Sequence, residues 1–143
     1  DIPVFLSSLL QGPFIKTIIG KQNKVGIISA KESSLDEAFL AAVNISPEDV
    51  VIRGLEKKEH FAAFGIDESG ICDTDIVERE VVEVALEMLA DNPDVKAILL
   101  ECSMLPPYGK AVQDATGLPV FDFITMIDYV KTAVVKKKYN GYL

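Results

Sequence analysis

Cys102 ends the apolar run Val95-Lys96-Ala97-Ile98-Leu99-Leu100-Glu101 and stands shortly before Pro106-Pro107. The run has the length and character of a buried strand, and proline is tolerated in the first turn of a helix. The thiol is therefore expected at a strand-to-helix junction. Unpaired N–H groups and the helix dipole meet there, and both stabilise a thiolate or a bound carboxylate. A thiolate so placed can attack a carbon or take a proton. A structural cysteine, filling space as a small apolar group, fits the same position.

Several thiol chemistries fail on spacing. A phosphatase-type loop needs an arginine a few residues after the cysteine to hold phosphate oxygens. The stretch Ser103-Met104-Leu105-Pro106-Pro107-Tyr108-Gly109 contains none. A cysteine hydrolase needs a base for the thiol. His60 is the only histidine, and it lies in a weakly periodic region that reads as exposed. Cys72 and Cys102 do not form a Cys-x-x-Cys pair, and they lack metal-ligand spacing. Ser29-Ala30-Lys31-Glu32-Ser33, after the first complete strand, is neither a dinucleotide fingerprint nor a Walker loop. No metal site is expected.

The elements that must position Cys102 alternate in type. Lys24 to Ala30 is a β-branched run of buried-strand type. Ser34 with Glu37 matches a capping box, followed by a helical stripe of Leu35, Ala38, Phe39, Ala42 and Val43. Asp49 to Arg53 is a second strand. Residues 54 to 73 read as a loop with a short helix. Asp73 or Thr74 then caps a long helix to about Ala90, with Val77, Val81, Val84, Ala85, Met88 and Leu89 as its buried stripe. Val95 to Glu101 is the third strand and Leu118 to Phe121 the fourth, after a helix closed by Gly117. Asp122 can cap a last helix carrying Met126, Ile127, Val130 and Val134 on one face. The segment Ile2 to Leu6 also reads as a strand. It starts at the second residue, so we expect a fragment whose N-terminal part is absent.

Strands alternating with helices imply an α/β fold, a doubly wound parallel sheet of about four strands with helices on both faces. Ligands of such sheets bind at the carboxyl ends of the strands. Those ends hold Ser29-Ala30, Gly54, Cys102-Ser103 and Asp122-Phe123. Asp122 reads as an N-cap before a catalytic acid. Tyr108 can contact a substrate or pack half-buried in the first helical turn. Glu101 alternates to the other side of the strand from Cys102, which argues against a role as base. Ser7 and Ser8 face a cleft or cap a helix.

Composition narrows the function classes. The chain has 143 residues, about one domain, and 22 acidic against 14 basic side chains leave it at −8. Only Arg53 and Arg79 are arginines, so the basic face that nucleic acid requires is missing. No apolar run approaches the roughly 18 residues of a membrane span, so no membrane partner is expected. No signal peptide is expected from the residues given. Two thiols without a disulfide framework suit a reducing cytoplasm.

The run AILLECSMLPPYGKAVQDATGLPVFDFITMIDYVKT, Ala97 to Thr132, resembles the aspartate/glutamate/hydantoin racemase superfamily, in its racemase-like branch. Ile2-Pro3-Val4-Phe5 with Ser7 to Gln11, and Val25 to Ala30, fit the same branch. The resemblance implies two similar α/β lobes with a site between them, each lobe supplying a cysteine. One thiolate removes the proton α to a carboxylate and the other thiol returns one to the opposite face, without metal or pyridoxal phosphate. Cys102 matches the second-lobe cysteine. Ser103 and Ser29 match positions that hold the substrate carboxylate, and Ser7 and Ser8 are added as substrate-binding candidates.

The departure is the first cysteine, which the family carries upstream of the segment matching Ile2 to Gln11. Cys72 follows no clear strand and reads as a loop or packing cysteine. Residues 1–20 are then a remnant of the first lobe, 21–122 the second lobe, and 123–143 a helix returning toward the first. The function implied is a cofactor-independent amino-acid racemase or isomerase acting on a small carboxylate or amino acid, this chain supplying only Cys102. A carboxylate-binding or regulatory protein, and a covalent thiol isomerase or decarboxylase, are the alternatives. A homo-oligomer is expected, because apolar surface left by the missing part favours association.

Overall fold

A computed structural model describes residues 4, 6–69, 71–139 and 141. A 3₁₀ turn at Ser8–Gln11 leads into α1 (Gly12–Ile19), then β1 (Lys24–Ser29), α2 (Glu37–Ala42) and β2 (Val50–Gly54). Next come the single turn α3 (Glu59–Phe61), which runs on as a π turn over Ala62–Ile66, and the long α4 (Thr74–Asp91). β3 (Val95–Leu100), α5 (Gly109–Thr116), β4 (Val120–Phe121) and α6 (Phe123–Val134) complete the order. The four strands are all parallel, in the order β2-β1-β3-β4. The expected α/β architecture is present. Of the strand expected over Ile2 to Leu6, Ile2, Pro3 and Phe5 lie outside the described residues, and Val4 and Leu6 are exposed without strand geometry. Gly70 lies outside them too.

β1 and β3 are apolar along their length because both faces are covered. On one face Ile28, Ile98 and Leu100 meet Val77, Val81, Ala85 and Met88 of α4 and Val112 of α5. On the other, Val25, Ile27, Ala97 and Leu99 meet Leu9, Ile15 of α1 and Leu40 of α2. Each fully buried side chain of this kind stabilises the fold by about 1.5–3 kcal/mol. Gly26 lets α4 approach β1 closely, since a Cβ there would collide with Met88 Cε.

Two helix expectations need correction. α2 is capped by Asp36, whose Oδ1 accepts the Phe39 N–H at 2.8 Å, and Ser34 instead ends a 3₁₀ turn over Glu32–Ser34. The later start rotates the helix. Leu35 and Leu40 are buried, at the N′ and N4 positions of a hydrophobic staple, while Ala38, Phe39 and Ala42 face out. The second correction concerns α6. Of its expected stripe only Met126 is buried, Val130 is intermediate, and Ile127 and Val134 remain 42% and 50% exposed. Tyr129 stacks on Phe14 of α1 with ring centroids 6.1 Å apart.

α4 buries its expected stripe from Val77 to Met88, Leu89 being only partly buried, with Asp73 as N-cap to Asp75 and Ile76. It also anchors the segment after β2. Glu80 accepts the N–H groups of His60 at 2.9 Å and Phe61 at 2.8 Å, satisfying donors at the start of α3. Lys58 reaches Glu83 at 2.9 Å and Glu87 at 3.3 Å.

Candidate functional site at the carboxyl ends of β1 and β3

The connection after β1 packs on the α1–α2 side of the sheet, and α5, after β3, packs on the α4 side. The chain thus leaves two neighbouring strands toward opposite faces. A crevice opens at the carboxyl ends of such a pair, and it is where sheets of this kind take ligands. Ser29 ends β1. The Glu101 N–H extends the β3 ladder by bonding to the Ile28 carbonyl at 2.8 Å, and Cys102 follows.

Strand alternation sorts these residues. Ser29 and Glu101 continue the face of Ile27 and Leu99, and they meet: Ser29 Oγ donates to Glu101 Oε2 at 3.0 Å. Ser29 is 3% exposed. Ser8 is buried in the same cluster and donates to the Glu101 carbonyl at 3.2 Å and to that of Leu100 at 3.4 Å. Gln11 Nε2 donates to the Asp122 carbonyl at 2.9 Å and to that of Ser8 at 3.2 Å. These bonds tie the turn before α1 to the ends of β3 and β4. Ser7 does not join the cluster; its Oγ accepts the Leu9 N–H at 3.2 Å and caps the 3₁₀ turn.

Cys102 turns toward the opposite core, half-buried and beside Met104. Its carbonyl accepts the Leu105 N–H at 3.0 Å, closing a tight turn in which the Met104 N–H bonds the sulfur. Burial pushes the thiol above its ordinary pKa; the Met104 N–H opposes this, and the Glu101 charge adds to it. That differs from the thiolate-stabilising helix terminus expected from the sequence. A 3₁₀ turn over Pro106–Tyr108 stands between Cys102 and α5, so the thiol meets one N–H of its own turn rather than the end of a helix. Ser103 is exposed on that turn.

Tyr108 is 6% exposed and packs in the core, its hydroxyl bonded with the Cys72 thiol. Burial raises its pKa first, with Cys72 and Glu78 adding to the rise. Asp122 accepts the Thr125 N–H at 2.7 Å and the Thr125 hydroxyl at 3.0 Å, which makes it the cap of α6. The π turn leans on the cysteine loop, for a Cβ on Gly65 would stand 3.0 Å from Met104 Cε. Beside the crevice, at the end of β2, a polar cleft of about 450 Å³ is lined by Glu32, Arg53, Glu56, Lys57 and Lys58 among others. Among the described residues no three His, Cys, Asp or Glu side chains converge as a metal site, and no helix is long and apolar enough to cross a membrane.

Glu101 is the residue that sequence reasoning set aside. Alternation does separate it from Cys102, but the same alternation pairs it with Ser29. That parity was available in the sequence; the β1–β3 register that turns parity into contact was not.

No protein-family model and no solved structure matches the chain. Curated relatives do. A dimethylsulfoniopropionate lyase of Durusdinium sp. clade D is 36% identical over 132 residues, which cover 89% of this chain and 43% of that protein. Dimethylsulfoniopropionate lyase 5 of Emiliania huxleyi is 33% identical over 92% of this chain and 29% of its own length. Dimethylsulfoniopropionate lyase 3 of the same organism is 35% identical over 86% of this chain and 34% of its own. These names overturn the racemase-superfamily assignment, and with it the two-cysteine racemase function, its alternatives and the isomerase class. The chain is thus similar, over most of its own length, to lyases of which it spans less than half.

Proposed function

We propose that this chain carries part of a lyase site acting on a small carboxylate with a β leaving group, dimethylsulfoniopropionate being the substrate that its relatives name. The observation that carries the reading is the match itself. An alignment over 89% of the chain includes both Ser29 and Cys102, hence both sides of the crevice.

The substrate's structure defines what the site must do. A sulfonium on the carbon β to a carboxylate leaves once the α carbon loses a proton. A base takes that proton, its electron pair becomes the second bond between the α and β carbons, and the β carbon–sulfur bond breaks toward sulfur. Neutral dimethyl sulfide and acrylate result. Cys102 is our candidate for the base, as the thiolate. The turn after it keeps the Met104 N–H on the sulfur and offers the exposed Ser103 to the substrate carboxylate. Ser29 and Ser8 hold Glu101 and the end of β3 in place. No metal or organic cofactor enters this scheme. We place the protein in the cytoplasm, on the strength of its two free thiols.

The test is headspace gas chromatography of dimethyl sulfide over this chain and over Cys102→Ser, both supplied with dimethylsulfoniopropionate. The unaltered chain is expected to release dimethyl sulfide and the variant to lose at least about a hundredfold, the usual worth of a general base. Release by Cys102→Ser at the unaltered rate, or none from the unaltered chain, overturns the reading.

A further inference from the structure

We infer that the Glu101 carboxylate recognises a small organic cation, a sulfonium or a quaternary ammonium, seated over the carboxyl ends of β1 and β3. The inference rests on the lyase reading and names the part of the substrate that the crevice reads by charge.

Glu101 is partly buried, and its position is over-determined. Ser29, 3% exposed, holds Oε2 at 3.0 Å, and Ser8, fully buried, holds the backbone carbonyl at 3.2 Å. One buried serine thus holds the carboxylate and another the backbone that carries it, and the Ser29 bond leaves Oε1 for a ligand. A charge partly withdrawn from water gains from a partner of opposite sign. None of the ion pairs among the described residues includes Glu101. A cation from outside completes the arrangement. The position suits one, because the sheet places it at the switch of the chain between faces. A net charge of −8 draws cations toward the molecule.

The class of cation follows from the donors and acceptors. A sulfonium or quaternary ammonium has no N–H to place, so it needs a negative charge within reach rather than a fork of acceptors. A single fixed carboxylate supplies that. Cys102, the next residue, points to the other side of the strand end. A zwitterion lying across the strand end can therefore set its cationic group over Glu101 while its carboxylate and α carbon lie toward the cysteine turn. The cation would also cancel the Glu101 charge that the thiol otherwise meets, so bound substrate favours the thiolate it needs.

The test is protection of Cys102 from iodoacetamide, read by mass spectrometry on the full chain. The ligands are dimethylsulfoniopropionate, 3-(trimethylammonio)propionate and the uncharged thioether 3-(methylthio)propionate. The two cations are expected to protect at concentrations about tenfold below the thioether, the size of one charge-assisted contact. Glu101→Gln keeps the shape and the Ser29 acceptor. It should erase that preference while leaving the thioether within about twofold, with Glu101→Asp restoring part of it. Thermal unfolding followed by circular dichroism verifies that each variant is folded. Equal protection by all three ligands, no protection by either cation, or an unchanged preference in Glu101→Gln overturns the inference. Cation preference without release of dimethyl sulfide would sink the lyase reading and leave this one standing.

Discussion

At the scale of single residues, the fate of Cys102 depends on its immediate neighbours. Its thiol is held above the ordinary value by burial, against the Met104 N–H and with the Glu101 charge. Alkylation of Cys102 should therefore reach half its maximal rate at a pH above that of an unstructured cysteine peptide, as followed by mass spectrometry. Glu101→Gln should move that midpoint down, toward the peptide. The stability consequence has a definite sign. The folded state binds the thiol proton more tightly than the unfolded state does. Stability is thus unaffected below the ordinary thiol pKa and falls as pH rises from there through the raised value. Ser29→Ala should cost about 1 kcal/mol in urea unfolding, since it removes one hydrogen bond from a partly buried carboxylate oxygen. In Ser29→Ala, moreover, cation preference should weaken, because Glu101 loses its fixed orientation.

At the scale of elements, the caps decide where helices begin and thus which side chains they bury. Asp36 rather than Ser34 starts α2, which is why Leu40 and not Phe39 reaches the core. Asp36→Ala should lose about 1 kcal/mol, and Ser34→Ala should lose none of the capping share; paired denaturant titrations separate the two. α4 shows the same logic on a longer element. Asp73 caps it, and the partly buried Glu80, in its second turn, accepts two hydrogen bonds from the N–H groups of α3. Glu80→Ala should loosen the segment from Glu59 to Ile66, seen as faster amide exchange at His60 and Phe61. Gly26→Ala should destabilise by about 1–3 kcal/mol, because the new Cβ meets the buried Met88 Cε and Sδ and Val95 Cγ1 at 3.0 Å or less, so the core must repack.

At the scale of the whole molecule, the sheet is well covered but α1 and α6 are not. Leu10, Phe14, Ile18, Ile124, Ile127 and Val134 are between 42% and 55% exposed. An apolar cleft of about 380 Å³ lies among Leu10, Phe14, Phe121, Met126, Tyr129 and Val130. Such a surface supports self-association, and the homo-oligomer expected from the sequence remains a proposal on that ground. Sedimentation velocity should show a species larger than the monomer for this chain, and a shift toward the monomer for Phe14→Ser with Ile127→Ser. A monomer in both cases removes the proposal. The division into residues 1–20, 21–122 and 123–143 stays a proposal too. α1 and the turn before it are packed on the β1–β3 face and hydrogen-bonded to β3 and β4, so the first of these segments is bound closely to the second.

The sequence by itself determined the elements. The short, largely apolar runs at 24–30 and 95–101 read as strands covered on both faces, and the stripe from Val77 to Met88 reads as a helix. It determined Cys102 as the thiol at the end of β3. It also carried a misleading signal: local motifs around Cys102 pointed to racemases, while the match along most of the chain is to lyases. What only the tertiary structure decided was the company each residue keeps. The strand order and the β1–β3 register bring Ser29 to Glu101 across 72 residues of chain and Ser8 to the same residue across 93. No local pattern records such a contact, because periodicity reports which way a side chain points, and pairing between distant strands decides what it meets.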